Sequence, residues 1–255
     1  MIVLDVSVPT GFEAVASSLA DARKRQPRLK RYDVAGVPVV DSAGRLLGQV
    51  TFDDVIDVVE EEQTEDLLRF GGVSADEELG ARWTTAVRSR LPWLFVNLLT
   101  AFMAGAVVYL FKDTVTRTVA LAVWMPIIAG MGGNAGTQAL AVTVRRLALG
   151  LIPPDRFLRV VGKEILVGLV NGLAIGVTVS VVAVAMGGGP ELGLVVFLAM
   201  AGNLFVAGFA GAFIPILLER FKVDPAIASS IFVTTFTDVC GFLLLLGLAG
   251  TLLTG

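Results

Sequence analysis

The 255-residue sequence contains no histidine and a single cysteine, Cys240. Without histidine there is no imidazole general base, no Ser-His-Asp triad, no imidazole proton relay and no His-ligated metal. One cysteine closes no internal disulfide and builds no thiolate zinc site. A metal site in this chain uses oxygen ligands, which suit hard cations such as Mg²⁺, Ca²⁺ or Mn²⁺. Charge is also scarce, at 17 % of residues, where soluble domains average about 25 %. A net charge of −3 and a pI near 5.1 exclude a basic nucleic-acid binder. No Walker or kinase motif is present, so no ATP-driven step is expected. The start, Met1-Ile2-Val3-Leu4-Asp5, lacks a basic n-region and an apolar h-region, which predicts no signal peptide.

What is abundant is apolar surface. Hydrophobic residues make up 55 % of the chain and the mean hydropathy is +0.79. The distribution is uneven: residues 1–91 carry 27 of the 43 charges, 11 basic and 16 acidic. A small acidic head therefore precedes a long apolar body.

The head, residues 1–62, reads as an α/β unit. Val37–Val40 and Leu46–Val50, separated by the turn Asp41-Ser42-Ala43-Gly44, predict a hairpin. A helix is expected from Asp53 to Glu62 with Thr51 as its N-cap, and another over Phe12–Leu19. The basic run Arg23-Lys24-Arg25, with Arg28, Lys30 and Arg31, reads as a solvated surface. Residues 63–91 read as a linker in which helical patterning resumes at Glu77 and passes Trp83, with Pro92 opening the first apolar span.

Five apolar spans follow within 92–255: about Pro92–Phe111, Thr118–Val144, Glu164–Met186, Leu192–Leu218 and Val223–Leu253. Each exceeds the roughly 20 residues needed to cross a hydrocarbon core. Loop 2–3 carries Arg145, Arg146, Arg156, Arg159 and Lys163, and loop 4–5 carries Arg220 and Lys222. Loop 1–2 has only Lys112 and Arg117, and loop 3–4 has no cation. The positive-inside rule places loops 2–3 and 4–5 in the cytoplasm, with the N-terminus inside and the C-terminus outside.

Asp238 lies in the middle of span 5. A carboxylate at that depth costs roughly 2.5–3.5 kcal/mol on insertion scales and marks a watery path or a partner. Ser230, Thr234 and Asp238 follow an i, i+4, i+8 spacing and share one helix face, which Thr235, Thr237 and Gly241 are expected to widen. That stripe reads as a pore lining; a structural aspartate bonded to a neighbouring helix is the competing reading. Span 2 holds Pro126 and the run Gly130-Met131-Gly132-Gly133-Asn134-Ala135-Gly136-Thr137-Gln138. Pro126 and the glycines are expected to kink and loosen this helix, freeing carbonyl oxygens beside Asn134, Thr137 and Gln138. Gly132-x-x-x-Gly136 also fits small-residue helix packing. Asn171 and Asn203 read as interhelical hydrogen bonds, Glu164 as a helix-start charge, and Asp224 before Pro225 as an N-cap.

Pro126…Gly130–Gln138, Asp224-Pro225-Ala226 and Thr235-Phe236-Thr237-Asp238-Val239-Cys240-Gly241-Phe242 together closely resemble the MgtE family of magnesium channels. The head resembles one CBS domain through Val37–Asp41 and Gly44–Asp54. The resemblance implies a mainly α protein: a five-helix, homodimeric transmembrane domain preceded by a small α/β CBS-like cytoplasmic module and a connecting helix. It implies a multi-pass protein of the cytoplasmic membrane, not an enzyme, that lets hydrated Mg²⁺ fall down its electrochemical gradient. Asp238 from two copies would face the dimer axis, with Asn134, the Gly130 carbonyl, Thr234 and Ser230 shaping the path. Cytoplasmic Mg²⁺ sensing would draw on acids such as Asp57, Glu60, Glu61, Glu62, Asp76 and Glu77. Thr51-x-x-Asp54 matches the ribose-contacting pattern of nucleotide-binding CBS domains, which implies an ATP site. The alternatives are a transporter of Mn²⁺ or Co²⁺, a cation exchanger, and a non-transporting membrane sensor.

Overall fold

A computed structural model describes residues 4–5, 36–40, 45–73, 82–152, 157–223 and 225–253. It divides into two compact units, Met1–Leu67 and Leu68–Gly255.

In the first unit, β2 (Gly36–Val40) and β3 (Leu46–Thr51) form the expected antiparallel hairpin, with Val37 opposite Val50 and Val39 opposite Gly48. A two-residue strand β1 (Leu4–Asp5) joins β2 in parallel, giving the order β1-β2-β3. So short a strand leaves no alternation to read in sequence. Helix α1 runs Phe52–Phe70, eight residues past the expected end at Glu62. No glycine or proline interrupts 53–70, so nothing stops the helix before Gly71 and Gly72. The Phe12–Leu19 helix, the Asp41–Gly44 turn and the basic run at 23–31 lie outside the described residues.

Thr51 does cap α1. The Thr51 hydroxyl and backbone N–H both donate to Asp54 Oδ2, at 2.7 and 2.8 Å, and the Asp54 N–H donates back to Thr51 Oγ1 at 3.5 Å. This reciprocal pairing is a capping box with aspartate in the third position. The Thr51 hydroxyl first, and its N–H second, hold the Asp54 carboxyl below the ordinary value of 3.8. The cap therefore contributes fully above that ordinary value and fades as pH falls through the lowered one. We expect Thr51→Val to speed amide exchange in the first turn of α1 at pH 7, and the gap from wild type to close in acid. An equal gap at both pH values would remove Asp54 from the cap.

The second unit is a helical bundle. Its elements are α2 (Trp83–Leu110), the short α3 (Lys112–Arg117), α4 (Leu121–Ala148), α5 (Phe157–Ala183), a π-helical turn Val184–Gly188, α6 (Gly189–Arg220) and α7 (Pro225–Leu252). Among the described residues, three stretches are long and apolar enough to cross a membrane: Trp83–Leu110, Phe157–Arg220 and Ser230–Leu252. The second is folded back as the α5–α6 hairpin, where Gly187 and Gly189 take φ of +88° and +71°, backbone that side-chain-bearing residues resist. Helix α4, diluted by glycine, Asn134, Gln138 and two arginines, is not among the three.

Two expectations about proline are corrected. Pro92 lies inside α2 instead of opening it, and Pro126 lies inside a continuous α4. Each proline removes one backbone hydrogen bond, yet both helices run on through it.

Glycines set the spacing of α5 and α6. Gly168 faces the Leu204 carbonyl, Gly172 faces Ala201, Gly176 faces Phe197, and Gly208 faces the Glu164 carbonyl. These pairs run in opposite senses, so the hairpin is antiparallel and its backbones touch. In lipid there is little hydrophobic gain from helix association, so such close backbone packing carries more of the stability. Further toward the hairpin turn, a core of Leu121, Trp124, Ile128, Val195, Met200, Leu204, Leu245 and Leu246 joins α4, α6 and α7.

Candidate cation site

Helices α4 and α7 supply most of the polar residues singled out in sequence. They meet through small side chains. A Cβ added at Gly136 would lie 2.5 Å from Val233 Cγ1 and 3.6 Å from Thr237 Cγ2, and one at Gly133 would lie 3.9 Å from Thr234 Cγ2. The glycine run is thus helix packing, as the Gly132-x-x-x-Gly136 pattern allowed, and the loosened backbone expected there is absent. Close contact on one face stabilises a segment that propensity alone would weaken.

The same packing sorts the residues of α4. Gly132, Gly136, Ala139 and Leu140 are buried, while Gly130, Asn134 and Gln138 are exposed on the opposite side. Gly130 and Asn134 therefore share an open face of this chain, as a helical spacing of four requires.

On α7, Asp238 sits at the middle of the 28-residue helix and is half-buried. Among the described residues its carboxylate has no hydrogen bond and no ion pair. A structural aspartate bonded to a neighbouring helix is not what the described residues contain. Ser230, Thr234 and Thr235 are half-buried alongside it. Thr234 Oγ1 donates to the Ser230 and Ile231 carbonyls at 2.9 and 3.1 Å, and Thr235 Oγ1 donates to the Ile231 carbonyl at 2.7 Å. With the hydroxyl hydrogens turned to the backbone, the oxygens keep lone pairs for an incoming donor, such as the water shell of a cation. Thr237 and Gly241 do not widen the face. Both are buried, and Thr237 Oγ1 donates to the Thr234 carbonyl at 2.9 Å.

Two residues gain importance that spacing had not given them. Asn203 on α6 is fully buried, and its Nδ2 donates to the Ile128 carbonyl of α4 at 2.8 Å. The interhelical bond expected of Asn203 is present, whereas Asn171 is exposed on α5. Glu164 is no helix-start charge. It lies eight residues into α5, 6 % exposed, with Arg146 Nη1 at 3.6 Å and Lys163 Nζ at 3.7 Å from Oε1. The two cations offset part of the cost of taking the carboxylate out of water. The buried half of this arrangement cannot be seen in sequence, because Arg146 and Glu164 are brought together by the α4 and α5 packing.

In the head, Asp57 is exposed on α1. Thr51 and Asp54 are engaged with each other. The side chains of Glu60, Glu61 and Glu62, and all of Asp76, Glu77 and Asp224, lie outside the described residues. Among the described residues no group of three or more His, Cys, Asp or Glu could hold a metal ion. Asp238 is thus a single carboxylate in one copy of the chain.

Comparison with known proteins bears on this arrangement. Residues 125–248 match the MgtE family model, described as a divalent cation transporter. The chain is 35 % identical over 234 residues to the magnesium transporter MgtE of Bacillus subtilis, covering 92 % of this chain and 52 % of that protein. It is 36 % identical over 247 residues to the Enterococcus faecalis magnesium transporter MgtE, covering 97 % and 52 % respectively. It is 37 % identical over 257 residues to that of Thermus thermophilus, covering 98 % and 54 %. The chain spans about half the length of the curated relatives it matches.

Proposed function

We propose that this chain, whose residues 125–248 match the MgtE family model, is a member of that family and conducts Mg²⁺ across a lipid bilayer as a homodimer. The observation that carries the reading is Asp238: a carboxylate at mid-helix, half-open, with no protein partner among the described residues. Such a group inside a membrane is functional by default.

The five long helices α2, α4, α5, α6 and α7 would each cross the bilayer. Arg82, Arg88 and Arg90 open α2, Arg145 and Arg146 close α4, Arg159 and Lys163 open α5, and Arg220 and Lys222 close α6. At the other end of the bundle stand Lys112 and Arg117. This asymmetry supports a cytoplasmic basic end.

A second copy completes the site. Asn134 and Gln138 on the open face of α4 are costly against lipid tails, and a partner's α4 and α7 would cover them. Two Asp238 carboxylates would then approach one axis and repel until a dication stands between them. Mg²⁺ gives up its water shell reluctantly. In such a dimer Asp238, Thr234, Ser230, Asn134 and the Gly130 carbonyl would line an acceptor-rich path, which suits an ion that arrives wearing donors. An inside-negative potential contributes about 4.6 kcal/mol per 100 mV to a divalent ion, so the inward step needs no ATP.

Mg²⁺ uptake into liposomes holding the purified chain tests this, read by an internal Mg²⁺ indicator with the potential set by a K⁺ gradient. We expect uptake that rises with inside-negative potential. Folded protein that passes no Mg²⁺, or that passes Mn²⁺ or Co²⁺ in its place, overturns the assignment.

A further inference from the structure

Among the described residues, Asn203 is the one buried amide whose chemistry exceeds what packing asks of it. It stands at the crossing of three helices. Its Nδ2 bonds the Ile128 carbonyl of α4 at 2.8 Å. Its side chain rests in the space where Gly132 of α4 has no Cβ, and a Cβ at Gly241 of α7 would stand 2.8 Å from its Nδ2. Its Oδ1 is buried with no hydrogen-bond partner among the described residues. An unsatisfied buried acceptor is a net cost, and an apolar side chain of similar volume would avoid it. Packing alone therefore does not account for the amide.

The location gives it a task. Ile128 is two residues beyond Pro126, where α4 has lost a backbone hydrogen bond. The next turns are rich in glycine and resist bending weakly. Gly132, which touches Asn203, is flanked two residues away on each side by Gly130 and Asn134. At about 100° per residue both lie on the opposite face. Whatever fixes Gly132 inward fixes Gly130 and Asn134 outward. On the other side, Gly241 is three residues from Asp238, so the same amide also seats the turn of α7 next to that carboxylate.

We propose that Asn203 is a positioning residue of the cation path: its hydrogen bond to Ile128 sets the rotation of α4, and so aligns Gly130 and Asn134 with Asp238. The inference rests on the Mg²⁺-conducting reading. Asn203 does not touch the ion. It acts through the backbone of α4, and a small rotation there changes how a compact octahedral ion and a looser competitor are told apart.

The experiment uses the full chain in liposomes and compares wild type, Asn203→Ala, and Asn203→Ala combined with Gly132→Ala. The double variant returns a methyl group to the vacated space without returning a donor. Three quantities are read: thermal stability, the Mg²⁺ to Mn²⁺ flux ratio, and amide exchange over residues 126–138. We expect exchange in Asn203→Ala to rise about fivefold, the scale of one hydrogen bond, and the flux ratio to fall by a similar factor. The double variant should recover stability while its exchange and flux ratio stay altered. Recovery of all three together would show that Asn203 only fills space and would overturn the proposal, as would an Asn203→Ala protein with wild-type ratio and exchange. A wild type that passes no Mg²⁺ sinks the transport reading by itself; unchanged exchange in Asn203→Ala sinks the clamp whether or not ions flow.

Discussion

Asp238→Ala is expected to reduce Mg²⁺ flux in liposomes by about a hundredfold or more, with the protein still folded. The size follows from Coulomb's law. A carboxylate about 5 Å from a dication, at an effective dielectric near 20, attracts it by about 6–7 kcal/mol. Half of that, surviving the ion's own hydration, exceeds a factor of a hundred. In the proposed dimer both carboxylates are lost together, so the loss is not halved by the partner. Asp238→Asn keeps the shape and removes the charge, and should fall nearly as far. Phe236→Leu, two residues away on the opposite side of the helix and exposed, should leave flux within about twofold, as surface changes away from a site generally do. Flux unchanged in Asp238→Ala would mean that the ion passes elsewhere. The prediction stands on a simple asymmetry: among the described residues, Asp238 has nothing in its own chain to hold, and Glu164, the other deeply placed carboxylate, already has Arg146 and Lys163.

The second large effect concerns stability and has opposite signs at two glycines of the same helix. At Gly168 even a single methyl group would run into the Leu204 carbonyl, while at Gly162 a Cβ would meet nothing within 4 Å. Gly162→Ala should stabilise by up to about 1 kcal/mol, since alanine is the better helix former. Gly168→Ala should destabilise by about 1–3 kcal/mol, the usual cost of overfilling a packed interior. Gly208→Ala, against the Glu164 carbonyl, should behave like Gly168→Ala. Thermal unfolding in detergent, followed by size-exclusion chromatography of the heated samples, reads both signs. If Gly168→Ala melts at or above wild type, the α5–α6 backbones are not in contact and the hairpin is looser than described.

These two predictions differ in how much of them was legible beforehand. Asp238 stands out in sequence because a charge inside a long apolar run is expensive, and expense at a known depth is visible in one dimension. The same holds for the split between acidic head and apolar body, and for the strand pair Val37–Val40 and Leu46–Val50. It holds for the Thr51 cap and for the small-residue spacing of Gly132 and Gly136. Each rests on neighbours within a few residues. Gly162 and Gly168, by contrast, are the same residue in the same helix with the same local propensity. Only the position of Leu204, 36 residues on, separates them.

The failures have the same origin. Thr237 lies on the i+3, i+4 pattern of the α7 stripe, yet Gly136 and Val233 close over its side of the helix. Pro126 and four nearby glycines suggest a broken α4, yet contacts from α6 and α7 hold the helix continuous. Glu164 resembles an ordinary terminal charge until α6 buries it.

The sequence by itself determined the chemistry available to this protein: oxygen ligands without imidazole or disulfide, a polar head on an apolar body, and a carboxylate in the middle of a long apolar run. These follow from composition and from interactions along the chain. The tertiary structure decided which glycines bring helices together, which hydroxyls stay open, and that Asn203 holds α4 to α6 and α7. Those choices depend on which faces meet across helices far apart in sequence, and period alone does not specify which faces meet.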